Sequence, residues 1–205
     1  MGEDSMRNKL GNVLMCFGVA MLAASLGLLM WNHHEANCAE EASTELLSAV
    51  SQTIEQKLEA EKPEVPSTAL NVPPPKMKAV QVDGHLCIGS LTIPQLKLEL
   101  PVLADCTDTN LKISPCLYSG TTMEDNLVLA AHNYSKHFGT LQQLTTDSEV
   151  IFVDMEGVTY RYQVAAVDVV PPDAVEEVTS SQFDLALLTC TYGGKTRLVV
   201  YCDRK

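Results

Sequence analysis

Residues 185–202 read LALLTCTYGGKTRLVVYC. Two apolar, β-branched runs, Leu185 to Thr191 and Arg197 to Cys202, flank Tyr192-Gly193-Gly194-Lys195. Paired glycines supply the backbone freedom that a tight turn demands, so the stretch predicts a β-hairpin. The same kind of signal recurs upstream. Leu86 to Ile93 is apolar and stops at Pro94. Leu96, Leu98, Leu100 and Val102 alternate with Lys97, Glu99 and Pro101, a period of two. Asn126 to Ala131 is a continuous apolar run, as in a buried strand. Val150, Ile151, Phe152 and Val153 lie within Glu149 to Asp154, and Glu156-Gly157 marks a turn before the long β-rich run Val158 to Val170, which Pro171-Pro172 ends. Only Thr107 to Ile113 and Phe138 to Leu144 look helical in this region. Seven or eight short strands over residues 80–205 predict a mainly β body, a barrel or a sandwich.

The N-terminal third is of a different kind. Leu10 to Trp31 is apolar apart from Asn12 and Ser25, and as a helix it covers roughly 33 Å, enough to cross a bilayer. Arg7 and Lys9 precede it, while Glu35, Glu40 and Glu41 follow, so the basic flank belongs on the cytoplasmic side. A cleaved leader is the competing reading. The run is too long for one, and Ala36-Asn37-Cys38-Ala39 is a poor small-x-small site. Ser43 to Lys62 carries Leu47, Val50, Ile54 and Leu58 at helical spacing, with Ser43 or Thr44 as cap and Pro63 as stop. Such a helix either packs on the domain or stands as a stalk, and the narrowness of the stripe favours a stalk or a loose contact. Pro63 to Lys76, with Pro73-Pro74-Pro75, predicts an extended spacer. The expected organisation is a cytoplasmic tail at 1–9, a single-pass signal anchor at 10–31, an extracellular helical stalk and Pro-rich linker at 32–79, and a globular β domain at 80–205.

The chain carries a net charge of −12, and residues 80–205 alone hold 16 acidic against 8 basic residues, which disfavours nucleic acid as a partner. There is no zinc-type spacing and no phosphate loop. Seven cysteines, at 16, 38, 87, 106, 116, 190 and 202, show no CxxC pair, so most read as small buried hydrophobes. Whether Cys106 and Cys116 are bridged is left open by the sequence.

Three stretches carry reactive side chains. An apolar strand ends in Ala131-His132-Asn133-Tyr134; Leu187-Leu188-Thr189-Cys190 places a thiol near a strand end; Arg197 lies seven residues later across the hairpin. Singly, each has an ordinary structural reading. His137 is a loop neighbour of His132 and a poor candidate base, and His33-His34 suit the membrane interface better than a metal. In combination the three stretches resemble the sortase family of bacterial surface enzymes. The family's histidine strand is matched by Ala131-His132-Asn133 followed by Phe138-Gly139-x-Leu141. Its cysteine signature is matched by Ala186-Leu187-Leu188-Thr189-Cys190, with Ala186 in place of the usual threonine. Its arginine strand is matched by Arg197-Leu198-Val199-Val200. The resemblance extends over about Leu86 to Tyr201. The short segment between Val170 and Leu185 lacks the long helical insertion of class B members.

That resemblance implies a closed eight-stranded β-barrel with a few short helices. It implies a cysteine transpeptidase of Gram-positive cell surfaces. Cys190 would form an acyl-thioester with an LPXTG-like sorting signal, His132 would give and take protons, and Arg197 would stabilise the oxyanion or grip the substrate. The acceptor would be an amine of a lipid-linked peptidoglycan precursor or of a pilin. The alternatives are a surface cysteine peptidase releasing its product to water, and a non-catalytic membrane-tethered β-domain. No cofactor or metal is expected; some family members bind calcium, but no acidic motif here is specific for it. The three side chains are expected to converge at one mouth of the barrel.

Overall fold

The structure, a computed structural model, describes residues 3–60 and 77–205, with side chains described for 14–58 and 77–205. The proline-rich spacer at 63–76 lies outside the described residues. The chain divides into two compact units, Met1–Cys38 and Ala39–Lys205. In the first, α1 (Glu3–Ala60) contains an 18-residue window of mean hydropathy 2.1, none of it buried, long and apolar enough to cross a membrane.

The second unit is built on nine strands: β1 (Val80–Val82), β2 (His85–Ile93), β3 (Leu98–Leu103), β4 (Cys116–Ser119), β5 (Leu127–Ala130), β6 (Glu149–Asp154), β7 (Thr159–Val170), β8 (Leu185–Cys190) and β9 (Arg197–Arg204). They follow the order β1-β2-β3-β4-β5-β8-β9-β7-β6, and β2 also pairs with β6. That extra pairing closes eight strands into a barrel and leaves β1 as a flap on β2, so no long edge of the barrel is left unpaired. Closure requires a close backbone approach at Gly89, beside a bulge in β2, where a β-carbon would run into the carbonyl oxygen of Val153. The interior is filled by inward residues of successive strands, among them Ile88, Leu91, Leu129, Phe152, Tyr162, Leu187 and Val200. At the C-terminal end of β9, the Arg204 guanidinium reaches Asp125 at 2.7 Å and lies over the rings of Tyr160 and Tyr162.

The sequence expectations hold for the main strands and for the two short helical pieces, which appear as α2 (Asp108–Leu111, capped by Thr107) and a 3-10 turn at Phe138–Gln143. Further elements are added. β1 joins β2 through Asp83-Gly84, both at positive φ, a two-residue turn that suits hairpins. A short helix, α3 (Val175–Thr179), lays Val178 over Val128, Ala186, Val199 and Tyr201 on the outer face of the barrel.

The expected stalk is corrected. No cap at Ser43 or Thr44 starts a new helix, because α1 runs without a break to Ala60. Ser43 instead is buried and contacts Ser114 at 3.3 Å, and the Thr44 hydroxyl donates to Glu40 one turn back. Leu46, Val50 and Ile54 bury against Val82, Cys87, Leu103, Cys116 and Met155. The buried stripe therefore runs through Leu46 rather than Leu47. Lys57 adds a hydrogen bond to the Met155 carbonyl, and Lys136 pairs with Glu40 at 2.7 Å. This second cover explains why Leu103, on the outer face of β3, is buried. Replacing Leu46 by alanine is expected to cost about 2–4 kcal/mol and lower the unfolding midpoint by roughly 5–10 °C. Thermal unfolding of the detergent-solubilised chain measures it; an unchanged midpoint is the result a free stalk gives.

Candidate active site

Alternation along three adjacent strands decides which side chains meet. Leu127, Leu129 and Ala131 point into the barrel, as do Leu185 and Leu187 on β8 and Leu198, Val200 and Cys202 on β9. The intervening Val128, Ala186, Val199 and Tyr201 belong to the outer cluster under α3. The same parity puts His132, Cys190 and Arg197 on the outer side. Parallel pairing of β5 with β8 brings Ala130 level with Leu188. It continues past the strand end, since the Ala131 N–H donates to the Leu188 carbonyl at 3.1 Å and the Thr189 hydroxyl to the Ala131 carbonyl at 2.9 Å. His132 follows directly, two residues past the last pair of β5 with β8. Across β8, Cys190 pairs directly with Arg197. Cys190 and Arg197 thus lie at one end of the barrel, on its outer side, with His132 just past the end of the adjoining strand.

Each group is held by local backbone chemistry. The hairpin after Cys190 closes through the Thr191 N–H on the Thr196 carbonyl at 3.0 Å and a 2.7 Å contact between the two threonine hydroxyls. Gly193 and Gly194 both take positive φ in its turn. The Arg197 guanidinium is tethered to that loop, with Nη1 donating to the carbonyls of Gly194 at 3.0 Å and Thr196 at 3.2 Å. Cys190 is half-buried, whereas Tyr192 at the hairpin tip is 94% exposed.

The loop after His132 is stiffened by rings. The His132 and Tyr134 ring centroids are 5.0 Å apart, and those of Tyr134 and His137 5.4 Å. The N–H groups of His137 and Gly139 both donate to the Tyr134 carbonyl, and a β-carbon at Gly139 would press on the carbonyls of Tyr134 and Asn133. His137 is fully buried, and among the described residues neither ring nitrogen meets a partner in full hydrogen-bonding geometry. Burial, then the neighbouring His132, pushes its pKa from 6.5 down to about 4, with the backbone near Ile113 and Ala39 acting in the opposite sense. A neutral, enclosed imidazole suits packing rather than proton transfer, in line with setting it aside as the base.

That depression makes stability pH-dependent. Between pH 6.5 and 4 the unfolded chain binds a proton at His137 that the folded chain does not. Stability is therefore complete above about 6.5, falls as pH drops towards 4, and levels off below; the loss is on the order of 3 kcal/mol. Unfolding midpoints at pH 7.5 and 4.5 should differ less in His137→Met than in the parent. An equal drop in both would mean that other groups carry it.

Two hollows adjoin the candidate residues. One, of about 270 Å³, is lined by Cys190 with Asn133, Phe138, Gln142, Tyr192 and Leu198, among others. The other, of similar volume, lies on the outer face and is lined by Arg197 with Tyr118, Val170, Pro171, Val178 and Leu188, among others. Cys190 and Arg197 thus sit side by side, one on a hollow of mixed lining at the barrel rim and the other on a groove bordered by α3. Tyr118 and α3 were not anticipated from sequence. The proline pair after Val170 was, but only as a strand terminator. His33 and His34 lie exposed in the first unit.

Comparisons with known proteins agree in one direction. A sortase-domain family model matches residues 91–205. Sortase A of Bacillus anthracis is 33% identical over 167 residues, covering 74% of either chain. A crystal structure of Streptococcus agalactiae sortase C1 in complex with MTSET superposes with a TM-score of 0.52 at 27% identity, over 58% of this chain and 69% of that one. A lid mutant of sortase C1 from the same species reaches 0.54 at 25% identity, over 83% of this chain and 89% of its own.

Proposed function

The chain belongs to the sortase family of cysteine-dependent transpeptidases, and from that premise we propose that Cys190, His132 and Arg197 cleave an LPXTG-like sorting signal and transfer its acyl part to an amine. The reading is supported above all by one observation: Cys190 pairs directly with Arg197 across β8 and β9, and His132 lies two residues past the end of the neighbouring strand β5.

In the proposed reaction the Cys190 thiolate attacks the carbonyl carbon of the signal's threonine. The carbonyl oxygen becomes an oxyanion, and the Arg197 guanidinium, fixed in charge and planar, stabilises it or grips the neighbouring substrate carbonyls. Collapse of the tetrahedral adduct breaks the C–N bond. His132 protonates the departing amine, leaving a thioester on Cys190. An incoming amine, from a lipid-linked peptidoglycan precursor or a pilin lysine, gives a proton to His132 as it attacks the thioester, and the thiolate leaves. The apolar groove beside Arg197 offers a bed for the apolar residues that precede the scissile bond. The apolar segment of α1 would serve as the membrane anchor with the barrel outside the cell, where confinement raises the local concentration of membrane-bound signal and acceptor.

The test is mass spectrometry of the chain incubated with a sorting-signal peptide and an added amine. A transpeptidase gives the amide adduct of the peptide truncated after threonine. Free acid alone, at every amine concentration, would identify a hydrolase, and no cleavage of any signal peptide would remove the reading.

A further inference from the structure

A histidine that gives and takes protons at one atom needs a fixed imidazole, and the loop after His132 supplies the fixing. The backbone is set by the core. The His132 carbonyl accepts from the Phe138 N–H at 3.3 Å, and Phe138 is fully buried in the barrel interior. That bond leaves the half-buried His132 side chain free to rotate. Beside it stands the Tyr134 ring, with its centroid 5.0 Å from that of the imidazole and the planes tilted by 49°. Tyr134 is backed in turn by His137, at 5.4 Å and 51°. Both separations lie in the range where tilted rings attract one another.

The order of the three rings is set by the turn between them. The His137 N–H donates to the Tyr134 carbonyl at 3.0 Å, an i to i+3 closure that leaves Ser135 and Lys136 exposed at the tip and returns His137 to Tyr134. The Gly139 N–H donates to the same carbonyl at 2.9 Å. Lys136 pairs with Glu40 on α1 at 2.7 Å, so the tip is also held from outside. His137 is the immobile end of the stack, since it is fully buried. With its pKa down at about 4, it brings no second charge to the stack at neutral pH. Tyr134 itself is half-buried and belongs to none of the three apolar clusters. It also lines neither the hollow at Cys190 nor the groove at Arg197. Its ring lies instead between a sealed imidazole and the one assigned to proton transfer.

We propose that Tyr134 is a positioning residue for the transfer reaction: its ring, seated on the buried His137, holds the His132 imidazole in the rotamer that meets the departing and the incoming amine. The inference rests on the role given to His132 above. The ring carries the effect. It blocks the rotamers that would swing the imidazole towards His137, and it stands within cation–π reach of the imidazolium that forms when His132 takes a proton from the acceptor. Without the ring, His132 spends only part of its time correctly placed, and proton transfer slows in proportion. Substrate binding is untouched, because Tyr134 lies outside both hollows.

The test compares two substrates on the full-length chain in detergent: a sorting-signal peptide, and the same peptide with a thioester in place of the scissile amide. When the Cys190 thiolate attacks the amide, the C–N bond breaks only as the amine gains a proton. When it attacks the thioester, the C–S bond breaks and a thiolate leaves without one, so a misplaced acid costs little. First-turnover acylation is read by chromatography after acid quench. Tyr134→Leu should lower the amide rate about 10–10²-fold with KM within about twofold of the parent, and leave the thioester rate within about threefold. Tyr134→Phe should stay within about threefold of the parent on both substrates, because the ring is kept. An equal loss on both substrates in Tyr134→Leu, a loss as large in Tyr134→Phe, or an unchanged amide rate in Tyr134→Leu would each overturn the inference alone. A parental chain inert towards both substrates would remove the underlying activity and the inference with it.

Discussion

Replacing Cys190 by alanine should reduce amide formation from a sorting-signal peptide at least about 10⁴-fold while moving the unfolding midpoint by less than about 2 °C. The asymmetry follows from where the side chain sits. Cys190 is the last residue of β8, half-buried and on the outer side of the sheet, so losing its sulfur opens no cavity in the barrel core. Its backbone pairing with Arg197 and the Thr191–Thr196 closure of the hairpin use no atom of the side chain. If the thiol carries the acyl group, nothing else at the rim substitutes for it. Cys87, Cys116 and Cys202 are sealed in the core. Retained transfer by the variant, measured by quantitative mass spectrometry of the amide, would show that the chemistry resides elsewhere.

Arg197→Lys should lower kcat/KM about 10²–10³-fold, with most of the loss in kcat, although the charge is kept. The guanidinium is held in place by two bonds from one nitrogen, to the carbonyls of Gly194 and Thr196. That tether presents the rest of a planar fork in a fixed direction beside Cys190. A lysine carries a single point of charge on a flexible stem. Once bonded to the hairpin, it has no second, rigidly related donor for a developing oxyanion. Steady-state kinetics on the two proteins separates the readings. A variant with parental kcat would mean that charge alone suffices, and one with parental kcat but raised KM would restrict Arg197 to gripping the substrate.

The fold was legible where one local signal governed a whole element. The alternation Leu98-Glu99-Leu100, the apolar run Leu127 to Ala130 and the glycine hairpin between β8 and β9 all sit where period and turn chemistry put them. The positions of His132, Cys190 and Arg197 followed because each lies at a strand end marked by those signals. Other elements depended on contacts that no local window contains. β4 is only Cys116–Ser119 with an irregular register against β5, too short for a periodic signal. The N-terminal helix displays a narrow buried stripe whose large apolar members are only Leu46, Val50 and Ile54, with Ala39 and Ser43 before them. Whether such a stripe faces water or protein is decided by its counterpart, the outward Leu103, Cys116 and Val82 of the sheet, far away in sequence. The groove beside Arg197 was hidden for the same reason. Tyr118, Pro171 and Val178 come from three separate segments that meet only once the barrel has closed. Asp83-Gly84 is different, since its turn signal was present and the strand it closes is merely short.

The most direct measurement is the fate of one sulfur. The chain is mixed with a sorting-signal peptide in the absence of amine, quenched in acid within the first turnover and digested, and the peptide spanning residues 162–195 is weighed. The account predicts that this peptide gains the mass of the signal truncated after threonine, at Cys190, and that hydroxylamine removes it. Cleavage of the signal with Cys190 left as a free thiol, or acylation at another cysteine, would contradict it.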